Sequence, residues 1–522
     1  MTHTIKAEKD DKQILIICLT LLGCIIGLGL VSPDALAELS LGTMNYIIEK
    51  FGWVYAGGTF SFVLILFFLA FSKYGDIRLG PDDSKPEFST FSWLGMLFSA
   101  GMGTVMILWG IAEPVSHYVN PMTGIAPETP EAAAFAFRKF FLHQGVQAWS
   151  MFAVLGLAVA YLMFRKNQSG MVSNILLPWG EDKTKGKLAK LINIICVLAA
   201  ASGVATSIGF AALTINSGLS HMLGVPDTMT IKTVLVIGIT AIVISCAITG
   251  VKKGIKSVSD IFAVLVIAML VTVYALGETT TMFNVLLTSL GDYLSNAFKD
   301  GLALPTFSDN APWYGKWTLF YYAWAIAWSP FVGPFVARVS RGRTVREFIL
   351  GAILTPPVAI YIWGSGFGTT ALLSDLNVIR QAAEYAPLAN FLVFEHFPLG
   401  TFISYGIILA MFLGLITSLN SSTYTLSVIS SNGDLNPSRN MLVLWGVLPS
   451  TLALVLMMSS SGLAILQSVS LIFALPLMLV LFLAMASIIK MLREEFAEDH
   501  PEISTLKEES ENESSAGLAA TA

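Results

Sequence analysis

The sequence predicts an all-α membrane protein of twelve spans, and three observations carry that expectation. Of 522 residues 55% are hydrophobic and 12% are charged, at a mean hydropathy of +0.71, whereas soluble chains carry about 25% charged residues. Twelve apolar runs reach the roughly 20 residues that a helix needs to cross a bilayer. One of them, 317–337, places Trp317, Tyr321, Trp324, Trp328, Phe331 and Phe335 at steps of 4, 3, 4, 3 and 4, which stacks six rings on one helix face.

In chain order, a polar tail (1–12) precedes runs at 14–31 and 53–71. Further runs lie near 92–111, 140–164, 191–217, 230–250, 261–284, 317–337, 348–372, 399–428, 440–458 and 464–489. No short apolar stretch with a cleavage site precedes the first run, so the N-terminus reads as retained. With the N-terminus inside, inner segments hold 23 of the 30 Lys and Arg residues and outer segments 7, which puts both termini in the cytoplasm. Cys18, Cys24, Cys196 and Cys246 sit inside apolar runs without metal-ligand spacing. The stretch 491–522 is acidic and reads as a solvated, disordered tail.

Run 317–337 also contains Pro330, Gly333 and Pro334. Each proline removes a backbone donor and clashes one turn back, so a helix broken at Pro330 to Pro334 is expected. Irregular backbone survives at membrane depth only against protein or a water-filled cavity. Run 92–111 carries Gly101 and Gly103, a second candidate break. Each run opens a block of five, and matched breaks in two five-span blocks are what an inverted repeat with a mid-membrane site predicts. The plain alternative is that the glycines only allow close helix packing.

The strings GMGTVMILWGIAEPVSHY (101–118) and WTLFYYAWAIAWSPFVGPFVARVSRGRTVREFILG (317–351) resemble the signatures of the betaine/carnitine/choline transporter family. The resemblance covers about 15–493. It implies a leucine-transporter-like fold: leading helices in 13–90, inverted repeats in 91–284 and 317–490, and an amphipathic outer connection in 285–316. It also implies a homotrimer in contact with membrane lipid. Relatives hold quaternary ammonium solutes in an aromatic cage, each ring face contributing ~0.5–2 kcal/mol to a desolvated cation. Carried over by position, Trp149, Phe152, Trp324 and Trp328 are cage residues, with Gly101, Met102 and Gly103 on the broken third span and Gln144 beside them.

Several positions depart from the family pattern. Gln144 stands where relatives usually have Trp, Phe152 where they have a cage Tyr, and Ala325 where they have one of two adjacent Trp residues. Two ring faces are gone and an amide is present, and Gln144 or Gln147 can accept a hydrogen bond from a solute N–H, which a trimethylammonium lacks. Two readings stand side by side: a less methylated or differently shaped zwitterion, or glycine betaine with neighbouring aromatics filling the gap. Val105 stands where choline carriers have Asp, so a counter-charge for a non-zwitterionic cation is missing there.

Coupling is read from span ten, where LGLITSLNSS offers hydroxyls at Thr417 and Ser418, and a carbonyl at Gly414 if the helix opens. The family places sodium between this pair and the third span, here Ser99 and Met102. The plain alternative is that the hydroxyls bond their own i−4 carbonyls. Relatives that exchange carnitine without sodium carry a basic residue near Phe262, and none stands there, which favours symport. A second family sodium site uses two threonines where this chain has Ala200 and Val204, with Thr206 and Ser207 nearby, so one sodium is expected.

The plain reading of Arg338, Arg341, Arg343 and Arg346 is headgroup anchoring, with a gate or trimer contact as the sharper one; of Glu113 and His117 a structural pair at the outer interface, with an outer gate as the alternative; and of Asp260 a cap or ion pair at the start of span seven. A channel would need a charged ring and a membrane enzyme a cluster of His, Asp, Glu or Cys; the six His look scattered. The expectation is a bacterial inner-membrane carrier, not an enzyme, without a cofactor other than sodium and without a nucleic-acid partner. It imports a small zwitterionic amine solute, glycine betaine-like, by sodium symport, the alternatives being a carrier for a less methylated amino or sulfonate zwitterion and a sodium-independent exchanger. The acidic tail argues against osmotic regulation, and deletion after Arg493 is expected to be silent.

Overall fold

A computed structural model describes residues 12–101, 103–249, 252–459 and 461–499, and the described residues are helical throughout, with no strand. The helices are α1 (Gln13–Val31), α2 (Pro33–Phe71), α3 (Thr90–Gly101), α4 (Gly103–Val119), α5 (Pro130–Gln144), α6 (Val146–Phe164), α7 (Lys187–Leu223), α8 (Met229–Thr249) and α9 (Lys252–Leu276). They continue as α10 (Thr279–Gly301), α11 (Ala311–Tyr314), α12 (Phe320–Val339), α13 (Val345–Leu372), α14 (Leu376–Glu384), α15 (Ala389–Phe394), α16 (Gly400–Ser430), α17 (Arg439–Leu456) and α18 (Gly462–Asp499). Among the described residues, eleven helical segments are long and apolar enough to cross a membrane, with α5 and α6 forming one of them. The third expected span is the pair α3 and α4; Met102 between them lies outside the described residues, so the interruption expected there does too.

The expected break in span eight is absent. Helix α12 runs unbroken through Pro330 and Pro334. Pro330 leaves the Ile326 carbonyl without a helical donor, and the Ser329 hydroxyl supplies one at 2.7 Å. Gly333 does not loosen the chain; it lets α12 meet α6, because a Cβ on Gly333 would stand 3.1 Å from the Gly156 amide nitrogen. The irregular stretch sits earlier, as a π-helical turn over Gly315–Leu319.

Span four contains an interruption that the sequence reading lacks. Helix α5 ends at Gln144 and α6 begins at Val146, with Gly145 between them at φ −97°, ψ −144°. The Phe141 carbonyl, which a continuous helix would offer to the Gly145 amide, accepts instead from the Tyr361 hydroxyl of α13 at 3.1 Å. The Tyr361 ring stacks on Phe141 at 4.0 Å. A side chain at Gly145 has no room, since its Cβ would stand 1.9 Å from the Tyr361 hydroxyl oxygen.

Helix packing repeats between the two halves. Helix α12 lies against α6 as α4 lies against α13; α7 meets α18 as α16 meets α9; and α12 touches α7 as α4 touches α16. The seventh span stops at Leu276 rather than near 284, because Gly277 ends it and α10 begins at Thr279. A charge cluster fastens α10 to α5: the buried Lys139 Nζ and the half-buried Arg138 Nε each lie 2.9 Å from the buried Asp300, and Arg138 Nη1 lies 3.1 Å from Asp292.

Three charged features also depart from expectation. Arg343 and Arg346 are tied into the protein rather than turned to headgroups: Arg343 bonds the Phe88 carbonyl at 2.8 Å and covers the Trp93 ring at 4.6 Å, and Arg346 bonds the Ala70 carbonyl at 2.8 Å. Arg338 and Arg341 stay exposed, and Asp260 is exposed within α9 rather than at its start. The expected tail from 491 is helical as far as Asp499, and Glu495 is buried against Arg165 Nε at 2.6 Å and the Tyr161 hydroxyl.

Candidate functional site

The aromatic stripe of α12 and the start of α6 enclose one cavity. Its walls are Val105, Met106, His143, Gln144, Ala148, Trp149, Phe152, Tyr321, Trp324, Ala325, Trp328 and Ile360. Five residues expected from sequence, Gln144, Trp149, Phe152, Trp324 and Trp328, therefore meet around a common space, and Ala325 opens its wall where a second ring would have closed it. Trp149 and Phe152 are edge-on at 5.3 Å, and Trp324 and Trp328 at 6.1 Å. Both Trp324 Nε1 and Trp328 Nε1 donate to the Gly203 carbonyl of α7, at 3.4 and 3.2 Å. With their N–H groups held there, the indoles are fixed in orientation, an arrangement suited to a cation that is attracted by ring faces. Gly203 is required for it, because a Cβ there would stand 2.9 Å from the Trp328 ring.

The polar side of the cavity rests on a buried carboxylate. Glu113, expected at the outer interface, is fully buried with His117 and His143. Its Oε1 lies 2.6 Å from His143 Nδ1 and 3.3 Å from His117 Nε2, and its Oε2 accepts from the Gln144 amide nitrogen at 3.2 Å. A carboxylate only accepts, so His143 carries its proton on Nδ1 and its Nε2 takes the Thr318 hydroxyl at 2.9 Å. The six His are thus not all scattered: α4 and α5 bring two of them together, and polar atoms of Glu113, His117 and His143 lie within 4.8 Å of one another. Both ring nitrogens of His143 are already partnered, which makes the group a hydrogen-bond network, and it offers no nucleophile.

Gln147, the other candidate acceptor, is not on the cavity wall; its Oε1 accepts from the Tyr293 hydroxyl of α10 at 2.7 Å. At the expected sodium site, α16 runs unbroken through Gly414, so that carbonyl is not freed by an opening, and the Thr417 hydroxyl donates to the Leu413 carbonyl at 3.0 Å. Thr417 and Ser418 are half-buried, and α16 packs on α4. Gly101 and Gly103 end α3 and begin α4; Met102 lies outside the described residues, as does the side chain of Ser99. In span five, Thr206 bonds across to the Leu466 carbonyl and the Ser470 hydroxyl of α18, both at 2.8 Å.

Sequence reasoning missed Gly145, Gly203 and His143, and it placed the buried Glu113 at the outer interface. The string HQGVQ did signal the first, a glycine between polar residues inside an apolar run. The others show only through contacts made by distant helices.

A bundle of apolar helices enclosing a membrane-buried aromatic cavity, beside an interrupted helix, defines a polytopic solute carrier. The chain belongs to the betaine/carnitine/choline transporter family: the profile described as "BCCT, betaine/carnitine/choline family transporter" matches residues 13–497. It is 38% identical over 469 residues to the glycine betaine transporter OpuD of Bacillus subtilis, covering 90% of this chain and 91% of that one. It is 39% identical over 473 residues to the ectoine/hydroxyectoine transporter of Virgibacillus pantothenticus (89% and 93%). It is 34% identical over 463 residues to the high-affinity choline transport protein of Escherichia coli (87% and 68%). The family consists of transporters, and the chain is not an enzyme.

Proposed function

We propose that this carrier imports a compact zwitterion whose cationic end bears N–H, of the ectoine or partly methylated glycine class, by sodium symport. The observation that carries the reading is Gln144 on the same cavity wall as Trp149, Trp324 and Trp328: rings attract the cation, and an amide carbonyl takes its N–H. The relative named as an ectoine/hydroxyectoine transporter supports that solute class. A second reading, glycine betaine, is favoured by the five aromatic residues on the wall, Trp149, Phe152, Tyr321, Trp324 and Trp328, and by the likeness to OpuD.

Sodium coupling rests on the half-buried Thr417 and Ser418 beside α4, with Ser99 and Met102 completing the site by family position. The repeated helix pairings support inverted repeats spanning 91–284 and 317–490. The Lys and Arg bias supports cytoplasmic termini in a bacterial inner membrane, and the family resemblance supports a homotrimer in contact with lipid.

Proteoliposome uptake with and without an inward sodium gradient, across glycine, its N-methylated series, ectoine, carnitine and choline, tests the reading. Sodium-driven uptake strongest for N–H-bearing solutes is expected. A ranking led by glycine betaine would reverse the choice of solute, and uptake indifferent to the gradient would remove the symport.

A further inference from the structure

We infer that Glu113 sets solute selectivity without touching the solute, by fixing which end of the Gln144 amide faces the cavity. An amide side chain has a donor end and an acceptor end of nearly equal shape, and on its own it can turn either way. The Glu113 carboxylate removes that freedom, because an acceptor-only group beside Gln144 can be faced only by the NH2 end, as the 3.2 Å contact to Oε2 shows. The Gln144 carbonyl is left as the end that can serve the cavity, where the Tyr321 hydroxyl, on the same wall, is a neighbour of the Gln144 side chain. Glu113 is itself held by His143 and His117, fully buried on α4 and α5, so it cannot swing away from the amide. The wall therefore presents a fixed acceptor, suited to an ammonium or amidinium N–H and without a partner in a trimethylammonium. Glu113 is a positioning residue, and this inference rests on the N–H reading of the solute given above.

N,N-dimethylglycine and glycine betaine differ by one methyl in place of one N–H, and their KM and Vmax in proteoliposomes form the test. Wild type is expected to favour dimethylglycine in KM. Glu113→Gln frees the amide to turn, and the dimethylglycine preference is expected to fall at least fivefold, in KM rather than Vmax. Gln144→Leu is expected to abolish the same preference, and adding Glu113→Gln to it is expected to change the ratio no further. Glu113→Asp keeps the charge but withdraws it by one methylene; its preference is expected to fall as well, which keeps the test available if Glu113→Gln does not fold. A wild type that favours glycine betaine overturns the N–H reading and this inference with it. A wild-type preference that persists in both Glu113 variants overturns the inference alone, as does a change in ratio that survives in the Gln144→Leu background.

Discussion

Gly145→Ala is the substitution that most directly tests how span four is built. A Cβ at this position would stand 1.9 Å from the Tyr361 hydroxyl oxygen and 2.2 Å from the Phe141 carbonyl oxygen. Both atoms belong to the hydrogen bond that satisfies the carbonyl released by the interruption, so the methyl group cannot be accommodated by moving one of them. Overfilling a packed site costs about 1–3 kcal/mol. Leaving the buried carbonyl unpaired costs about another 1–3 kcal/mol. The sum, about 2–6 kcal/mol, exceeds a factor of ten in an equilibrium, so purified Gly145→Ala should melt well below wild type in detergent and take up solute at under a tenth of its rate. Tyr361→Phe removes only the hydroxyl and should cost about 1–2 kcal/mol. Because the two changes strike one contact, the double variant should lose less than the sum of the singles. Wild-type melting and uptake in Gly145→Ala would refute the reasoning, since an ordinary continuous helix would then serve equally well.

Three further outcomes are expected. Truncation after Arg493, or Glu495→Gln, should destabilise the protein by about 1–3 kcal/mol, because it removes the buried carboxylate that Arg165 and the Tyr161 hydroxyl share; truncation after Asp499 should melt like wild type, and equal melting of both truncations would sink the idea. Ser329→Ala should cost about 1 kcal/mol by removing the donor to the Ile326 carbonyl, and a variant melting like wild type would show that carbonyl to be satisfied otherwise. Thr417→Ala, combined with Ser418→Ala, should raise the sodium concentration for half-maximal uptake at least tenfold while leaving the solute ranking intact; an unchanged sodium dependence would place the coupling ion elsewhere.

Much of the site was legible because it is written in local spacing. The rings from Trp317 to Phe331 lie on one face by helical period alone, and Trp149 and Phe152 lie one turn apart on the helix that packs against them. The errors came where a partner from far along the chain decides the outcome. Pro330 reads as a break until the Ser329 hydroxyl is seen to replace the missing donor. Gly145 reads as an ordinary glycine until Tyr361 of α13 is seen to take over its hydrogen bond. Glu113 reads as an interfacial charge because nothing near it in the chain shows that α5 will bring His143 and Gln144 against it. The tail was misjudged for a related reason: acidic composition suggests solvation, but Glu495 finds Arg165 across the bundle.

Span four is anchored to different neighbours on the two sides of its joint. Its α5 portion is tied to α10 through Arg138, Lys139 and Asp300, whereas its α6 portion is tied to α18 through Tyr161 and Arg165. Gly145 lies between the two anchorages, with Gln144 on one side and Trp149 on the other. The amide of Gln144 and the indole of Trp149, on the same cavity wall, thus hang from different helices, the one from α10 and the other from α18.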